Sequence, residues 1–481
     1  MNLPFPKVQQ TDSPIPISFQ GPNGEEQENK ISFLKKIVEV EVGINIVIGA
    51  VIIFLVVLIL AWKNEAKIQS KAGTGNSDQV RVVEPASLVE QRVVIAKEGF
   101  QPPIYINEQT VDIERAFSAP SDGITLTVHG PLKKEVMGFL PYWVLDKIED
   151  IDIKVLSSVS FFGLEVDGAG NIIKTDAEGK VTTPWFYFQN GPRFEKFIQK
   201  AKNDRIKVYL TLKCFNQDNI VKLVTSPEAR SKFIENALYL MNSKSLDGIN
   251  LDFEYIGTPS KNVIDGFSLL VIDLNKEMKR QYPQAQLTID TFIDAASNAR
   301  IHDIPVLAQH ADSLIIMGYD FSTPNSQQAG PVAPMEGGYS IFNFMSAYLE
   351  KAPAEKLILA VPYYGYDWPV TSASKNGVVL GSTADVRIRT YAEIAGATAN
   401  SQINWDENSQ TPWFSYSDSG QTRVAHFENT RSLGIKYDFV NDKALGGVAI
   451  WALGFDGLRN DLAQLLSDKF SGSSATPVAS E

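Results

Sequence analysis

The sequence predicts an α/β fold: a (β/α)8 TIM barrel with a small α+β insertion between its seventh and eighth strands, preceded by a transmembrane helix and a small β segment. Three observations carry this expectation. From about Glu135 onward, short runs rich in Val, Ile, Leu and Phe alternate with longer amphipathic stretches, the pattern of repeated strand–helix units. The alternation repeats eight times over about 335 residues, a length that suits a barrel with insertions. Its one long interruption, residues 371–430, holds two alternating runs about an Asp-Ser-Gly turn, "PWFSYSDSGQTRVAHFEN".

In chain order, residues 1–41 begin with a stretch rich in Pro, Gly, Gln and Glu and read as a disordered cytoplasmic tail. Val42 to Trp62 is an uncharged apolar run of about 21 residues whose only polar side chain is Asn45. At 1.5 Å per residue it spans the roughly 30 Å hydrocarbon layer as one helix. Lys30, Lys35 and Lys36 before it are matched by Lys63, Lys67 and Lys71 after it, so flanking charge does not orient it. Residues 63–85 form a polar linker, and 86–134 carry β-branched residues in partial alternation, which predicts a small β segment acting as spacer or packing module. The barrel is expected over 135–470, and 471–481 form a disordered tail.

Eight strands are predicted in the barrel: "VMGFLPYW" from Val136, "LSSVSFFGLEV" from Leu156, "KVYLTL" from Lys207, "DGINLDFEY" from Asp247, "QLTIDTF" from Gln286, "DSLIIMGYD" from Asp312, "KLILAVPYY" from Lys356 and "GGVAIWALG" from Gly446. Between them lie helix-like stretches such as "RFEKFIQKAKND", "EARSKFIENALYLMNS" and "NVIDGFSLLVIDLNKEMKRQY". The last places Val263, Phe267, Leu270, Val271 and Leu274 along one helical face.

Composition excludes several functions. A formal charge of −12 with no dense Lys/Arg run offers no grip for a phosphate backbone, so no nucleic-acid partner is expected. A single cysteine, Cys214, permits no intramolecular disulfide and reads as a small buried side chain. His129, His302, His310 and His426 show no metal-ligand spacing, so neither metal nor cofactor is expected.

The chemistry concentrates in "LDGINLDFEYIG". Strand alternation turns Gly248, Asn250, Asp252 and Glu254 to one face and Ile249, Leu251 and Phe253 to the other. In a barrel the first set faces the axis, and Glu254 reaches the carboxyl-terminal rim, where barrel enzymes place their chemistry. Such a ladder suits glycosidic cleavage, which needs a proton donor at the leaving oxygen and a second group managing charge at the anomeric carbon. A buried polar network that only fixes strand register is the structural alternative. Asp247, one residue out of phase, reads as a strand-start structural residue.

"DGINLDFE" resembles the DxxDxDxE signature of glycoside hydrolase family 18, the chitinase family, with Asn250 where many members have aspartate. "GFLPYW", "MGYD", "VPYYGYDW" and "AIWALGFD" resemble further motifs of that family in the same order, and "INWDENSQTPWFSYSD" followed by "HFENTRSLGIKY" looks most like its spore-cortex and cell-wall glucosaminidase branch. The resemblance implies substrate-assisted retention. Glu254 is the expected acid and base, Asp252 orients the substrate's N-acetyl group, and Tyr319 assists. Asn250, Asp320, Met317, Trp451, Tyr142 and Tyr364 are expected to bind substrate, and Trp143 and Trp368 to line the sugar groove. The implied activity is that of a membrane-anchored hydrolase of β-1,4-linked N-acetylglucosamine polymers, peptidoglycan or chitin, with its barrel outside the membrane. A catalytically silent glycan-binding envelope protein is the alternative, though such members typically lose the acid retained here as Glu254. Because an amide cannot titrate, Asn250 is expected to donate a fixed hydrogen bond to Asp252 and keep it ionised over a wider pH range. Phe139 stands where the family often has a tyrosine.

Overall fold

Continuous runs of β-branched and aromatic residues form strands buried on both faces, as parallel strands sheathed by helices must be. In the computed structural model, which describes residues 106, 109–398 and 402–472, these strands are β1 (Glu135–Pro141), β2 (Ser158–Glu165), β3 (Lys207–Cys214), β4 (Gly248–Phe253), β5 (Gln286–Phe292), β6 (Ser313–Met317) and β7 (Leu357–Pro362). Five further strands follow before the barrel closes: β8 (Tyr364–Pro369), β9 (Arg387–Thr390), β10 (Asn404–Asp406), β11 (Thr411–Asp418) and β12 (Gln421–His426); then comes β13 (Gly447–Trp451). The barrel order is β1-β13-β7-β6-β5-β4-β3-β2, all parallel. All eight barrel strands therefore fall on the eight expected segments.

The helices follow from local chemistry. Asn216, Ser226 and Asp303 cap the helices Gln217–Thr225, Pro227–Ser243 and Ile304–His310 by accepting from backbone N–H groups of the first turn. The long helix Lys261–Gln281 buries Val263, Phe267, Leu270, Val271 and Leu274, the face expected from their spacing. The polypeptide also packs tightly between β4 and β5: a Cβ on Gly248 would lie 2.2 Å from the Gln286 carbonyl oxygen.

The insertion begins earlier than expected. Its antiparallel sheet, ordered β10-β11-β12-β8-β9, starts at Tyr364 rather than at residue 371. The run "KLILAVPYYGYDW" stays apolar while the chain passes from barrel to insertion at Tyr363, so hydrophobicity alone does not mark the boundary. β11 and β12 form the expected hairpin, with Ser419 and Gly420 at positive φ in its two-residue turn. Inside the insertion, Asp367 accepts from Arg423 Nε at 2.8 Å, pairs with Arg389 at 2.9 Å and accepts from Tyr416 at 2.6 Å. Where the insertion returns to the barrel, fully buried Lys436 on helix Thr430–Asp442 donates to Glu428 at 2.7 Å.

The small β segment is a second correction. Among the described residues of 86–134, 113–118 form a helix, Ile113–Ser118, capped by Asp112, and 121–129 run without pairing into a sheet. The cap competes successfully with the β-branched residues around it. Beyond the helix the chain lies along the last helix, Asp461–Phe470. Asp122 accepts from the backbone N–H groups of Asn460 and Asp461, both at 2.8 Å, Thr127 exchanges hydrogen bonds with Gln464, and His129 meets Ser467 and Asp468. The expected tail, membrane helix and linker at 1–85, and residues 473–481, lie outside the described residues. Among the described residues no helix is long and apolar enough to cross a membrane.

Candidate active site

The site is assembled by strand register. Tyr209, Thr211 and Lys213 of β3 pair with Gly248, Asn250 and Asp252 of β4, and Asn250 pairs in turn with Thr288 of β5. Paired residues share a face, so the polar side chains of three adjacent strands converge on the barrel axis. Asp252 and Glu254 stand at the carboxyl end of β4, 4% and 6% exposed, with the Glu254 N–H donating to the Cys214 carbonyl at 3.1 Å. Asp252 Oδ1 and Glu254 Oε2 are buried and receive no hydrogen bond from the protein.

Burial raises every carboxyl here, because a charged group loses its water. Asp252 is pushed up to about 7 by desolvation, with Lys213 pulling the other way. Glu254 is held well above the ordinary carboxylate range, by desolvation first and then by the negative charges of Asp252, Asp290 and Asp320. The shift favours the protonated form, the form a general acid uses. Asp320, half-buried beyond β6, is raised by desolvation to about 6 despite accepting hydrogen bonds from Tyr364 at 2.5 Å and Tyr366 at 2.7 Å. Tyr319 is raised by burial and the same acids, so its hydroxyl remains a donor.

Among residues singled out from sequence, Glu254, Asp252, Tyr319 and Asp320 act electrostatically on one another and form one cluster, with Met317 half-buried at the end of β6. Trp451 ends β13 with its ring 4.5 Å from Phe162 and 5.8 Å from Phe139, making an aromatic wall across the ends of β1, β2 and β13. Tyr142 borders a cleft of about 400 Å³ with Glu165, Lys180 and Lys213, while Trp143 is half-buried edge-on to Tyr142. Asp247 is structural, as expected, accepting from the Val208 N–H at 2.8 Å.

Three expectations need correction. Asn250 is fully buried beneath the acids, out of reach of a substrate. Its amide does not serve Asp252: Nδ2 donates to Thr288 Oγ1 at 3.0 Å and Asp290 Oδ1 at 2.8 Å. The neighbouring strand lies about 4.8 Å away, closer than the residue two positions along the same strand, so the cross-strand partners win. Tyr364 and Trp368 belong to the insertion sheet and are buried, Tyr364 beneath Asp320 and Trp368 with no exposure, so neither lines a groove. Asp290, Lys213 and Phe162 were missed. Asp290 had the same signal as Asp252, a polar residue at alternate positions (Thr288, Asp290) of an apolar strand, and Lys213 repeats it after Thr211.

A sequence profile of glycosyl hydrolases family 18 matches residues 135–456, most of the chain, from the first barrel strand to beyond the last. The chain belongs to this family. Family 18 relatives include probable chitinase 10 of Drosophila melanogaster, 25% identical over 343 residues that make up 65% of this chain and 14% of that protein. The putative sporulation-specific glycosylase YdhD of Bacillus subtilis is 26% identical over 250 residues, 51% of this chain and 56% of that protein. The chain thus spans little more than half, or far less, of these relatives' length. A solved family 18 chitinase from Cycas revoluta shares the fold at a TM-score of 0.60 and 19% identity, covering 70% of this chain and 99% of its own.

Proposed function

We propose that this family 18 chain hydrolyses β-1,4-linked N-acetylglucosamine polymers, peptidoglycan or chitin, with retention of configuration, by using the substrate's own N-acetyl group. The observation that carries this reading is Glu254 buried at the barrel rim, two residues along the chain from Asp252, where desolvation and the neighbouring acids Asp252, Asp290 and Asp320 oppose its ionisation. Glu254 hands its proton to the glycosidic oxygen. The acetamido carbonyl oxygen then attacks the anomeric carbon, closing an oxazolinium ring as the leaving sugar departs. Asp252 orients the acetamido N–H and balances the positive charge on the ring, and the Tyr319 hydroxyl donates to the acetamido oxygen. Glu254, now ionised, deprotonates the water that opens the ring. Trp451, backed by Phe139 and Phe162, supplies an apolar wall for a sugar face, and the cleft beside Tyr142 and Lys213 supports extension of the glycan past the acids.

The names of the relatives support a glycan of the chitin or cell-wall type. The uncharged run at 42–62 supports a membrane tether with the barrel on the outer side, where such polymers lie. Release of an aryl group from a diacetylchitobioside, and product masses from chitin and from peptidoglycan, test the reading. Glu254→Gln is expected to lower turnover by about 10²–10⁴-fold with little change in sugar affinity. Sugar binding with no turnover by the unaltered protein sinks it.

A further inference from the structure

The strand register places a second carboxyl beside Asp252. Asn250 pairs with Thr288 and Leu251 with Ile289, so the next step along β4 and β5 sets Asp252 and Asp290 at one level and on one face. Asp290 is 3% exposed and is fixed through Oδ1 by the Asn250 amide. Asp252 Oδ1 is buried with no donor from the protein, an acceptor waiting for a proton. The negative charge of Asp252 opposes ionisation of Asp290 in this desolvated site, so the two do not both ionise readily.

We propose that Asp290 is a positioning residue that shares this proton with Asp252, so that the titrating partner which Asn250 cannot provide within β4 comes from across the β4–β5 seam. The inference rests on the hydrolytic reading above and deepens it. As positive charge grows on the acetamido group, the O–H bond on Asp252 breaks and one forms on Asp290. Negative charge passes from Asp290 to Asp252, and no proton is exchanged with solvent. When water opens the ring, the proton returns. The surrounding groups favour this direction: Lys213 of β3 pairs in register with Asp252 and favours negative charge there, whereas Asp290 accepts from the neutral amide of Asn250, which also donates to Thr288. Glu254 on β4, and Tyr319 and Asp320 beyond β6, face the pair. Behind β5, His302 approaches the Asp290 backbone, and Arg300 is neutralised by Asp294 at 2.6 Å.

The test compares pH profiles for chitobioside hydrolysis by wild type, Asp290→Asn, Asn250→Asp and the double variant. Asp290→Asn keeps an acceptor for Asn250, so a purely structural role survives it. Without a second seat for the proton, Asp252 must lose it to solvent, and the acidic limb is expected to rise by about one pH unit. At pH 5 kcat should fall about tenfold, with KM within about twofold. The double variant, which returns the partner to β4, should recover to within about threefold of wild type. Asn250→Asp alone replaces the donor to Asp290 by a third buried carboxyl, so its acidic limb is expected to move away from that of wild type, and a superimposed profile would speak against the close coupling of these groups. An Asp290→Asn profile superimposed on that of wild type, or a double variant as impaired as Asp290→Asn while both melt at the wild-type temperature, overturns the proposal. Carbon NMR of labelled aspartate carboxyls reads the same pair without turnover: two coupled steps in wild type, one in Asp290→Asn. A single simple step for Asp252 in wild type overturns the sharing even if no chitobioside is cleaved, whereas absent turnover by itself sinks only the hydrolytic reading.

Discussion

Replacing Lys436 by Met strands a carboxylate where no water reaches. Lys436 and Glu428 side chains are 0% and 1% exposed, and Glu428 Oε1 already lacks a partner. Without the ammonium, Glu428 must fold either as a bare buried charge, costing several kcal/mol, or as the neutral acid. Protonating a carboxyl whose ordinary value is 4.5 at pH 7 spans 2.5 units at about 1.36 kcal/mol each, about 3.4 kcal/mol. This cheaper route sets the expected loss. The folded variant then holds a proton that the unfolded chain releases above pH 4.5, so its stability falls as pH rises. By the same arithmetic the cost shrinks to about 0.7 kcal/mol at pH 5. Urea unfolding of wild type, Lys436→Met and Glu428→Gln/Lys436→Met at pH 5 and pH 7 measures this directly. The double variant should regain most of the loss, since no charge is left to bury. A loss under about 1 kcal/mol at pH 7, or one equal at both pH values, refutes the reasoning.

Tyr366→Phe removes one of the two hydroxyls that favour ionised Asp320, so the carboxyl rises above about 6. If ionised Asp320 supports turnover, the acidic limb of kcat/KM should move up by about half a unit, read from a pH–rate profile. Gly248→Ala sets a methyl 2.2 Å from the Gln286 carbonyl oxygen, a backbone atom that can yield only by parting β4 from β5. A loss of about 3 kcal/mol or more by denaturant unfolding, or failure to fold, is expected. Near-wild-type stability would contradict the tight seam.

The legible part of the fold is the part governed by period. "QLTIDTF" is bounded as β5, Gln286–Phe292, and the buried face of helix Lys261–Gln281 follows from the spacing of Val263, Phe267, Leu270, Val271 and Leu274. Alternation likewise placed Asn250, Asp252 and Glu254 in one ladder. Alternation within a strand, however, says nothing about the strand next door, and the partners of Asn250 lie there: Thr288 and Asp290 come from a register that forms only when the barrel closes. The same limit hid the passage of the chain into the insertion at Tyr364, because consecutive apolar residues can serve two sheets. The helix Ile113–Ser118 was hidden for a different reason: a short capped turn is decided by Asp112 and its hydrogen bond to the Glu114 N–H, against the β preference of its neighbours.

The stretch from Asp122 to His129 buckles the front of the described chain onto its final helix. A truncated version cut at residue 135, where the family match starts, would discard this buckle and uncap the helix at Asn460 and Asp461. The final helix of the barrel thus has the N–H groups of its first turn satisfied by a carboxylate that lies ahead of the family match, so the family's own bounds are too short for a stable fragment.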